Sequence, residues 1–305
     1  MWSALAFVIK SIEGASHKTL GGHAKLNDAL LKHSLVLHGK HYYAPFVSKD
    51  DIRQPLTAER YLPGLKLDAE RMLQFLSAFD FQDELRDLPD RSDDRLQYGF
   101  INGTFGPGDA EILYGMIRHL KPRRFIEIGA GNSTLVAQLA IRRNAEEGSA
   151  DTCRHICVEP FENPWLEQLG IEVIRKKVEE LPLETFKSLG ANDILFVDSS
   201  HTVRPQGDVL FEILEVFGSL EPGVYVHVHD IFTPFDYPEE WILERRAIWH
   251  EQYLLEAFLS FNNKFEVICA LNWLYHTSPG RLRAACPVLT ERLPSEPGSF
   301  WFRTV

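Results

Sequence analysis

The sequence predicts an α/β protein with a doubly wound, mainly parallel sheet, and three observations support this fold class. A short apolar run at Phe125–Ile128 ends at a glycine turn that opens a helical pattern. From Arg124 onward, strand-like and helix-like segments alternate, which is typical of parallel strands joined by helical crossovers. Two late apolar segments, Phe265–Leu271 and Ser299–Val305, have no convincing crossover helix between them, which indicates an antiparallel pair at the sheet edge.

Composition limits the classes of function. The chain has 305 residues, enough for one large domain or for one domain and a cap, with 45% apolar and 25% charged residues. The net charge of -11 argues against nucleic acid or an anionic membrane as a main partner. Four cysteines lack a zinc-binding spacing, and we interpret them as reduced thiols of a cytoplasmic protein. The apolar segment Met1–Ile9 has no basic region before it, so we expect a packed element or a homo-oligomer arm rather than a signal peptide.

Residues 1–95 are predicted to form a mainly helical cap that serves the substrate or oligomerisation, with one helix over Leu65–Leu76. The run Asp83–Asp94 is rich in acidic residues and arginine and contains Pro89, which is typical of a solvated linker, and we place a domain boundary after it. Five scattered histidines without helical pairing are interpreted as solvated rather than metal-binding. They are His17, His23, His33, His38 and His41.

The segment Tyr98–Asp109 is dense in glycine and aromatic residues and precedes a helix predicted over Ala110–Leu120. Its position before the first strand fits either a lid over a bound cofactor or a turn-rich connection, and the sequence leaves both open. Lys121 and Pro122 end the helix, because the residue before a proline disfavours helical backbone.

The later elements follow in alternation. Further strands are predicted at His155–Glu159, Ile171–Ile174, Asp193–Asp198 and Val224–Asp230. A long helix is predicted over Pro238–Ser260. His227, on the fifth strand, is interpreted as a core histidine with satisfied hydrogen bonds.

The glycine turn after the first strand is the predicted ligand site. In doubly wound sheets, ligands bind at the carboxyl ends of the strands. Gly129 and Gly131 let a ligand approach the backbone, and the helix that starts after them, which Ser133 or Thr134 can cap, favours an anionic group. The dinucleotide fingerprint requires glycine or alanine where Thr134 stands, which disfavours a dinucleotide dehydrogenase.

The pattern E-x-G-x-G-N-S, from Glu127 to Ser133, resembles motif I of the class I S-adenosylmethionine (SAM) methyltransferases. The resemblance covers roughly residues 98–305. It implies, for residues 96–305, a Rossmann-like seven-stranded sheet with an antiparallel last strand, and SAM as cofactor. It also implies that Glu127 contacts the methionine end of SAM directly or through water. The residues it assigns to SAM around the turn are Glu127, Gly129, Gly131, Asn132 and Ser133.

Acidic and imidazole side chains stand where the second, fourth and fifth strands end. Glu159 is placed to accept both hydroxyls of a ribose, with a plain surface carboxylate as the alternative. Asp198 suits a helix cap, a metal ligand or a partner of SAM. Because neighbouring strand ends meet, Asp198, His229 and Asp230 are candidates to bind one divalent ion. The alternative, that His229 and Asp230 bond each other and the backbone, stays open.

Asp198-x-x-His201, the run from His229 to Pro234 and the run from Glu251 to Leu255 are similar to small-molecule methyltransferases of bacterial secondary metabolism. In catechol-type O-methyltransferases, an Asp after strand four and an Asp-Asn pair after strand five bind magnesium. Asp198 matches the first position, whereas His229 and Asp230 replace the pair. An imidazole favours transition metals, so magnesium, manganese and iron all remain candidates.

His201 is the candidate general base. A lysine with the same spacing from the strand-four Asp is the base in catechol-type enzymes, and histidine has a near-neutral pKa that suits this role. A metal-ligand role and a supporting role for His201 remain alternatives.

The implied activity is transfer of a methyl group from SAM to a hydroxyl of a small molecule, assisted by a divalent metal. Aromatic segments at Tyr98–Phe105 and Phe232–Trp241 are expected to cover the site. Two alternatives remain. The His/Asp/Asp cluster resembles an iron facial triad, which suits a hydroxylase or another non-methylating enzyme on the same scaffold. The chain also fits a SAM-binding protein without catalysis.

Overall fold

A seven-stranded sheet runs through the structure, a computed structural model that describes residues 32–33, 45–148 and 153–305. The strands are β1 (Arg124–Ile128), β2 (Arg154–Val158), β3 (Glu172–Ile174), β4 (Ile194–Val197), β5 (Tyr225–Val228), β6 (Phe265–Ala270) and β7 (Phe300–Thr304). Their order is β3-β2-β1-β4-β5-β7-β6, and β7 is antiparallel to both of its neighbours. This confirms the predicted doubly wound sheet and its antiparallel last strand.

Helices cover the sheet and fill the connections. In the described part of the chain, the α-helices are α1 (Ala69–Leu76), α2 (Gln82–Arg86), α3 (Asp109–Leu120), α4 (Asn132–Glu146), α5 (Glu184–Lys187), α6 (Asp208–Phe211), α7 (Phe217–Ser219), α8 (Glu251–Leu259), α9 (Leu271–Thr277), α10 (Pro279–Leu282) and α11 (Pro287–Glu291). The short 3-10 helices are Lys49–Asp51, Leu166–Leu169 and Val178–Glu180, and π-helical turns occupy Glu212–Val216 and Glu240–Glu244. No helix of the described residues has both the length and the apolar character that a membrane crossing requires.

The central strands bring the candidate residues together. All residues of β4 and β5 are buried, as expected for parallel strands with both faces covered. Ile128 of β1 pairs with Val197 of β4, and Val197 pairs with Val228 of β5. The residues that follow these strands, Gly129, Asp198 and His229, therefore leave the sheet side by side.

Residues 49–305 form one compact unit. Helix α1 belongs to it and packs against β6; it begins at Ala69, later than predicted, because the side chain of Asp68 caps it by accepting a hydrogen bond from the backbone N–H of Arg71. Met1–Ile9, His17, His23, His38 and His41 lie outside the described residues. The cap function of residues 1–95 therefore stays a prediction.

The long helix predicted over Pro238–Ser260 is wrong. A π-helical turn at Glu240–Glu244 and an irregular stretch precede α8. Arg246 has a positive φ of 54°, and the backbone N–H groups of His250 and Glu251 donate to the carbonyl of His201. These tertiary hydrogen bonds replace helical ones, so the apolar periodicity alone misled the prediction.

Candidate functional site

A cavity of about 820 Å³ opens at the carboxyl ends of β1, β2 and β4. Its volume lies within the roughly 300–1,000 Å³ that small-molecule sites occupy. The segment Tyr98–Asp109, for which the sequence allowed either a lid or a connection, contributes Asn102, Thr104 and Phe105 to the cavity wall. Predicted site residues that line the cavity are Gly129, Gly131, Asn132, Ser133, Glu159 and Asp198.

The two glycines of the turn meet different surroundings. Gly129 has a φ of +75°, and a Cβ on it would lie 1.9 Å from the carbonyl oxygen of Asp198. A Cβ on Gly131 would meet only the amide nitrogen of Asn163, at 3.7 Å. The chain therefore needs glycine at 129 to bring β1 and β4 together, whereas the space beside Gly131 belongs to the cavity.

Glu159 is held at the edge of the cavity by backbone donors. Its Oε1 accepts hydrogen bonds from the backbone N–H groups of Phe161 and Glu162, both at 2.9 Å. Its Oε2 lies 3.4 Å from the backbone nitrogen of Ala130 in the glycine turn. The carboxylate is thus fixed beside the turn, which suits the ribose role that the sequence predicts.

Glu127 lies behind the turn, fully buried, and is not among the residues that line the cavity. Its carboxylate accepts hydrogen bonds from the hydroxyls of Ser133, at 2.6 Å, and Thr134, at 2.8 Å. The side chain that the sequence assigned to the methionine end of SAM therefore contacts the turn.

A polar cluster adjoins Asp198. Potential ligand atoms of Asp198, His201 and Asp230 all lie within 4.8 Å of one another. The Nε2 of His201 is 3.3 Å from Asp198 Oδ1 and 3.5 Å from Asp230 Oδ2. The Nδ1 of His229 is 3.6 Å from Asp198 Oδ2 and 3.5 Å from Asp230 Oδ1. The structure thus brings the three predicted metal ligands and the predicted base into one group.

Each histidine of the cluster has a second carboxylate behind it, which sequence reasoning missed. Glu251 Oε2 lies 2.8 Å from His201 Nδ1. Asp109 Oδ2 lies 3.5 Å from His229 Nε2, and its Oδ1 accepts from the backbone N–H groups of Gly298 and Ser299. The available signal was positional, because Asp109 and Glu251 are acidic first residues of the apolar helices α3 and α8.

The charges of the cluster perturb the pKa values of its members. Burial opposes a charged imidazole, but hydrogen bonds to Asp198 and Glu251 raise the pKa of His201 well above its usual range. Burial likewise opposes protonation of His229, yet the charges of Asp230 and Asp198 raise its pKa well above the ordinary value. Burial would raise the pKa of Asp198, but the neighbouring imidazoles hold it below the usual range. The carboxylate of Asp198 is therefore balanced by charged imidazoles, whereas burial raises the pKa of Asp230 and of Glu251.

His227 differs from these rings. It is fully buried, its Nε2 is 3.0 Å from the hydroxyl of Ser299, and its ring stacks on Phe196 with a centroid distance of 4.2 Å. Burial lowers its pKa well below the ordinary value, so it is neutral. These contacts suit a core histidine, but its Nδ1 is buried without a hydrogen-bond partner, so the expectation that both ring nitrogens are satisfied is wrong for Nδ1.

The donor set fits a divalent metal. Both ring nitrogens of His229 lack a hydrogen-bond partner although only 4% of the residue is exposed, and a buried polar atom without a partner is costly. An ion between the carboxylates of Asp198 and Asp230 would give its Nδ1 a partner. A ligating histidine whose second nitrogen contacts a carboxylate, as in His201 with Glu251, is typical of metal sites.

Part of the chain matches a known family model. Residues 126–231, from β1 to just beyond β5, match the family model of a methyltransferase domain. An uncharacterised protein of Archaeoglobus fulgidus is 27% identical over 183 residues, which are 54% of this chain and 80% of that protein.

Solved structures resemble the chain at low similarity. An O-methyltransferase of Bacillus cereus in complex with S-adenosylhomocysteine (SAH) has 13% identity and a TM-score of 0.37, covering 79% of this chain and 92% of its own. A Klebsiella pneumoniae protein, assigned by inference as an O-methyltransferase, has 14% identity and a TM-score of 0.35, covering 92% and 96%. At these values the likeness carries no argument about function.

Proposed function

We propose that this chain, whose residues 126–231 match the family model of a methyltransferase domain, transfers a methyl group from SAM to a hydroxyl of a small molecule. One observation supports the proposal above the others. The cavity beside the glycine turn extends to Asp198, and potential ligand atoms of Asp198, His201 and Asp230 lie within 4.8 Å of one another, so the predicted cofactor site adjoins the predicted metal and base residues.

The residues around the turn suit the parts of SAM. The backbone N–H groups at the start of α4 offer donors to a carboxylate. Glu159, held by backbone donors, would accept the two ribose hydroxyls. Glu127 would act from behind, through the hydroxyls of Ser133 and Thr134.

Asp198, Asp230 and His229 would hold a divalent ion. His201 is the alternative imidazole ligand, and its Nε2 could then not serve as the base. When bound, such an ion lowers the pKa of an acceptor hydroxyl and orients it. The imidazole content favours manganese or iron over magnesium.

His201 would accept the proton of the acceptor hydroxyl. Glu251 fixes its Nδ1, so its Nε2 is directed to the edge formed by Asp198 and Asp230. A general base must be neutral, and the neighbouring carboxylates favour the charged ring. His201 can therefore act as a base only if a metal ion, rather than its own ring, balances the charges of Asp198 and Asp230. The proposed base thus depends on the proposed metal.

Aromatic rings cover one side of the base. The ring centroid of Trp249 lies 4.4 Å from that of His201 and 5.0 Å from that of Trp241. Phe232 packs on Trp241 at 5.2 Å. These rings would exclude water from the reacting groups, a role that the sequence predicted for Phe232 and Trp241.

The test is SAH formation by the purified chain with SAM, manganese or magnesium, and a panel of catechols, phenols, sugars and polyketide alcohols. We expect turnover with one acceptor class and loss of that turnover in chelator. Tight SAM binding without SAH formation on any acceptor would instead favour a non-catalytic SAM-binding protein. Oxygen consumption with bound iron would favour the hydroxylase alternative.

A further inference from the structure

A network of hydrogen bonds converges on one carboxylate behind the glycine turn. Glu127 is fully buried, and four side chains direct donors at it. The hydroxyls of Ser133 and Thr134 are 2.6 and 2.8 Å from its oxygens. The Nε2 of His155 is 3.0 Å away, and the Sγ of Cys157 is 3.2 Å away.

Gln138 determines which nitrogen of His155 can donate. The amide nitrogen of Gln138 is 2.7 Å from His155 Nδ1. Because this amide donates, Nδ1 must accept, and the imidazole proton sits on Nε2, which faces Glu127. An edge-to-face contact with Phe125 holds the orientation of the His155 ring, with a centroid distance of 4.8 Å and an interplanar angle of 86°.

The network reaches the cavity through Thr134 and Ser133. The Oγ1 of Thr134 donates to Glu127 and accepts from the backbone N–H of Gly131, at 3.0 Å. Gly131 and Ser133 line the cavity, whereas Glu127 does not. A buried carboxylate is tolerated only when donors satisfy it, so the loss of one donor would shift the others.

We propose that Gln138 and His155 are positioning residues of the cofactor site, which act through Glu127 on the backbone and hydroxyls of the glycine turn. Neither touches the ligand. The identity of the ligand as SAM rests on the proposed function. The effect of Gln138 and His155 on the glycine turn does not.

The test uses Gln138→Met, which keeps the length of the side chain and removes the donor. Asn144→Leu is the control: Asn144 lies further along α4, is buried, donates to the carbonyl of Ile117 at 2.9 Å and accepts from the guanidinium of Arg118, so the substitution removes hydrogen bonds of the same helix that do not lead to Glu127. Titration calorimetry with SAH should give a Kd about fivefold higher for Gln138→Met, the change expected for the loss of one hydrogen bond between neutral groups. The control should bind within about twofold of the parent chain.

A second readout needs no ligand. Hydrogen exchange of the amides from Gly131 to Thr134 should become faster in Gln138→Met and stay unchanged in Asn144→Leu. His155→Phe, which keeps the ring against Phe125 and removes both nitrogens, should reproduce the effect if Gln138→Met does not fold. Turn amides that exchange at the parent rate in the folded variants would overturn the proposal. If the parent chain binds no SAH, the proposed function is contradicted, whereas the proposal about the turn is still tested by hydrogen exchange.

Discussion

Alanine at the two glycines of the turn should separate a structural requirement from a ligand requirement. At Gly129, a Cβ would lie 1.9 Å from the carbonyl oxygen of Asp198, and the φ of +75° disfavours any L side chain. At Gly131, the nearest atom is 3.7 Å away, an ordinary van der Waals contact, and the residue lines the cavity. Gly103 is the control, because its φ is +83° and nothing lies within 4 Å of its Cβ position.

The structure gives the expected magnitudes. Gly103→Ala should cost only left-handed backbone strain, about 1–2 kcal/mol. Gly129→Ala adds the overlap with Asp198, which threatens the hydrogen bond from the Asp198 N–H to the Ile128 carbonyl, so its cost should exceed that of the control by about 1 kcal/mol or more. Gly131→Ala should change folding stability by less than about 0.5 kcal/mol. It should weaken SAM binding by about 1–3 kcal/mol, the cost of overfilling a packed site, or roughly 5- to 150-fold in Kd.

Urea unfolding without ligand measures the changes in folding stability of the three variants. Titration calorimetry with SAM or SAH measures the change in Kd of Gly131→Ala. Gly131→Ala is the decisive variant. If it keeps the parent stability and the parent Kd, the turn does not contact the ligand and our assignment of the cavity fails. If it unfolds, the glycine serves the fold, and the distinction between the two positions is wrong.

Three further predictions concern charge. Asp230→Asn, chosen because asparagine tolerates the positive φ of 57°, should lower metal-dependent turnover at least about tenfold and leave SAH binding unchanged; full activity in chelator would exclude the metal role. His201→Asn should lower turnover by about 10²–10⁴ with little change in the Kd for SAM, and an unchanged turnover rate would remove it as the base. Burial raises the pKa of Glu111 to about 7, above its unfolded value, so the native state binds the extra proton and loses stability as pH rises through this range. The stability of Glu111→Gln relative to the parent should therefore rise by up to about 3 kcal/mol between about pH 5 and pH 8, and a difference that does not depend on pH would contradict the assigned shift.

Much of the fold was readable because its signals are local. The strands near Arg124, His155 and Asp193 are short, apolar and bounded by turn residues, and each appears within a residue or two of its predicted limits. The stretch before α8 was misread because its backbone bonds to His201, some fifty positions earlier in the chain, a contact that periodicity does not encode. Such tertiary hydrogen bonds override helical propensity.

The sequence predicted the site residues that directly follow the strands. Asp198, His229 and Asp230 meet because parallel strands end at one edge of the sheet, and sequence order is enough to see this. The carboxylates of Asp109 and Glu251 were missed because they come from helix starts distant in sequence. Glu127 was assigned from a motif, yet the motif does not tell whether a strand-end carboxylate faces the cavity or the core, which depends on donors such as His155.

SAM binding by this chain is tested most directly by its stabilisation with SAM, SAH and NAD in a thermal unfolding titration. A ligand at about 100 times its Kd adds roughly 2.7 kcal/mol of stability, and each kcal/mol corresponds to a shift of roughly 2–4 °C for a domain of this size. We predict a shift of several degrees with SAM and SAH and none with NAD. No shift with either SAM or SAH, or a shift with NAD alone, would contradict this prediction.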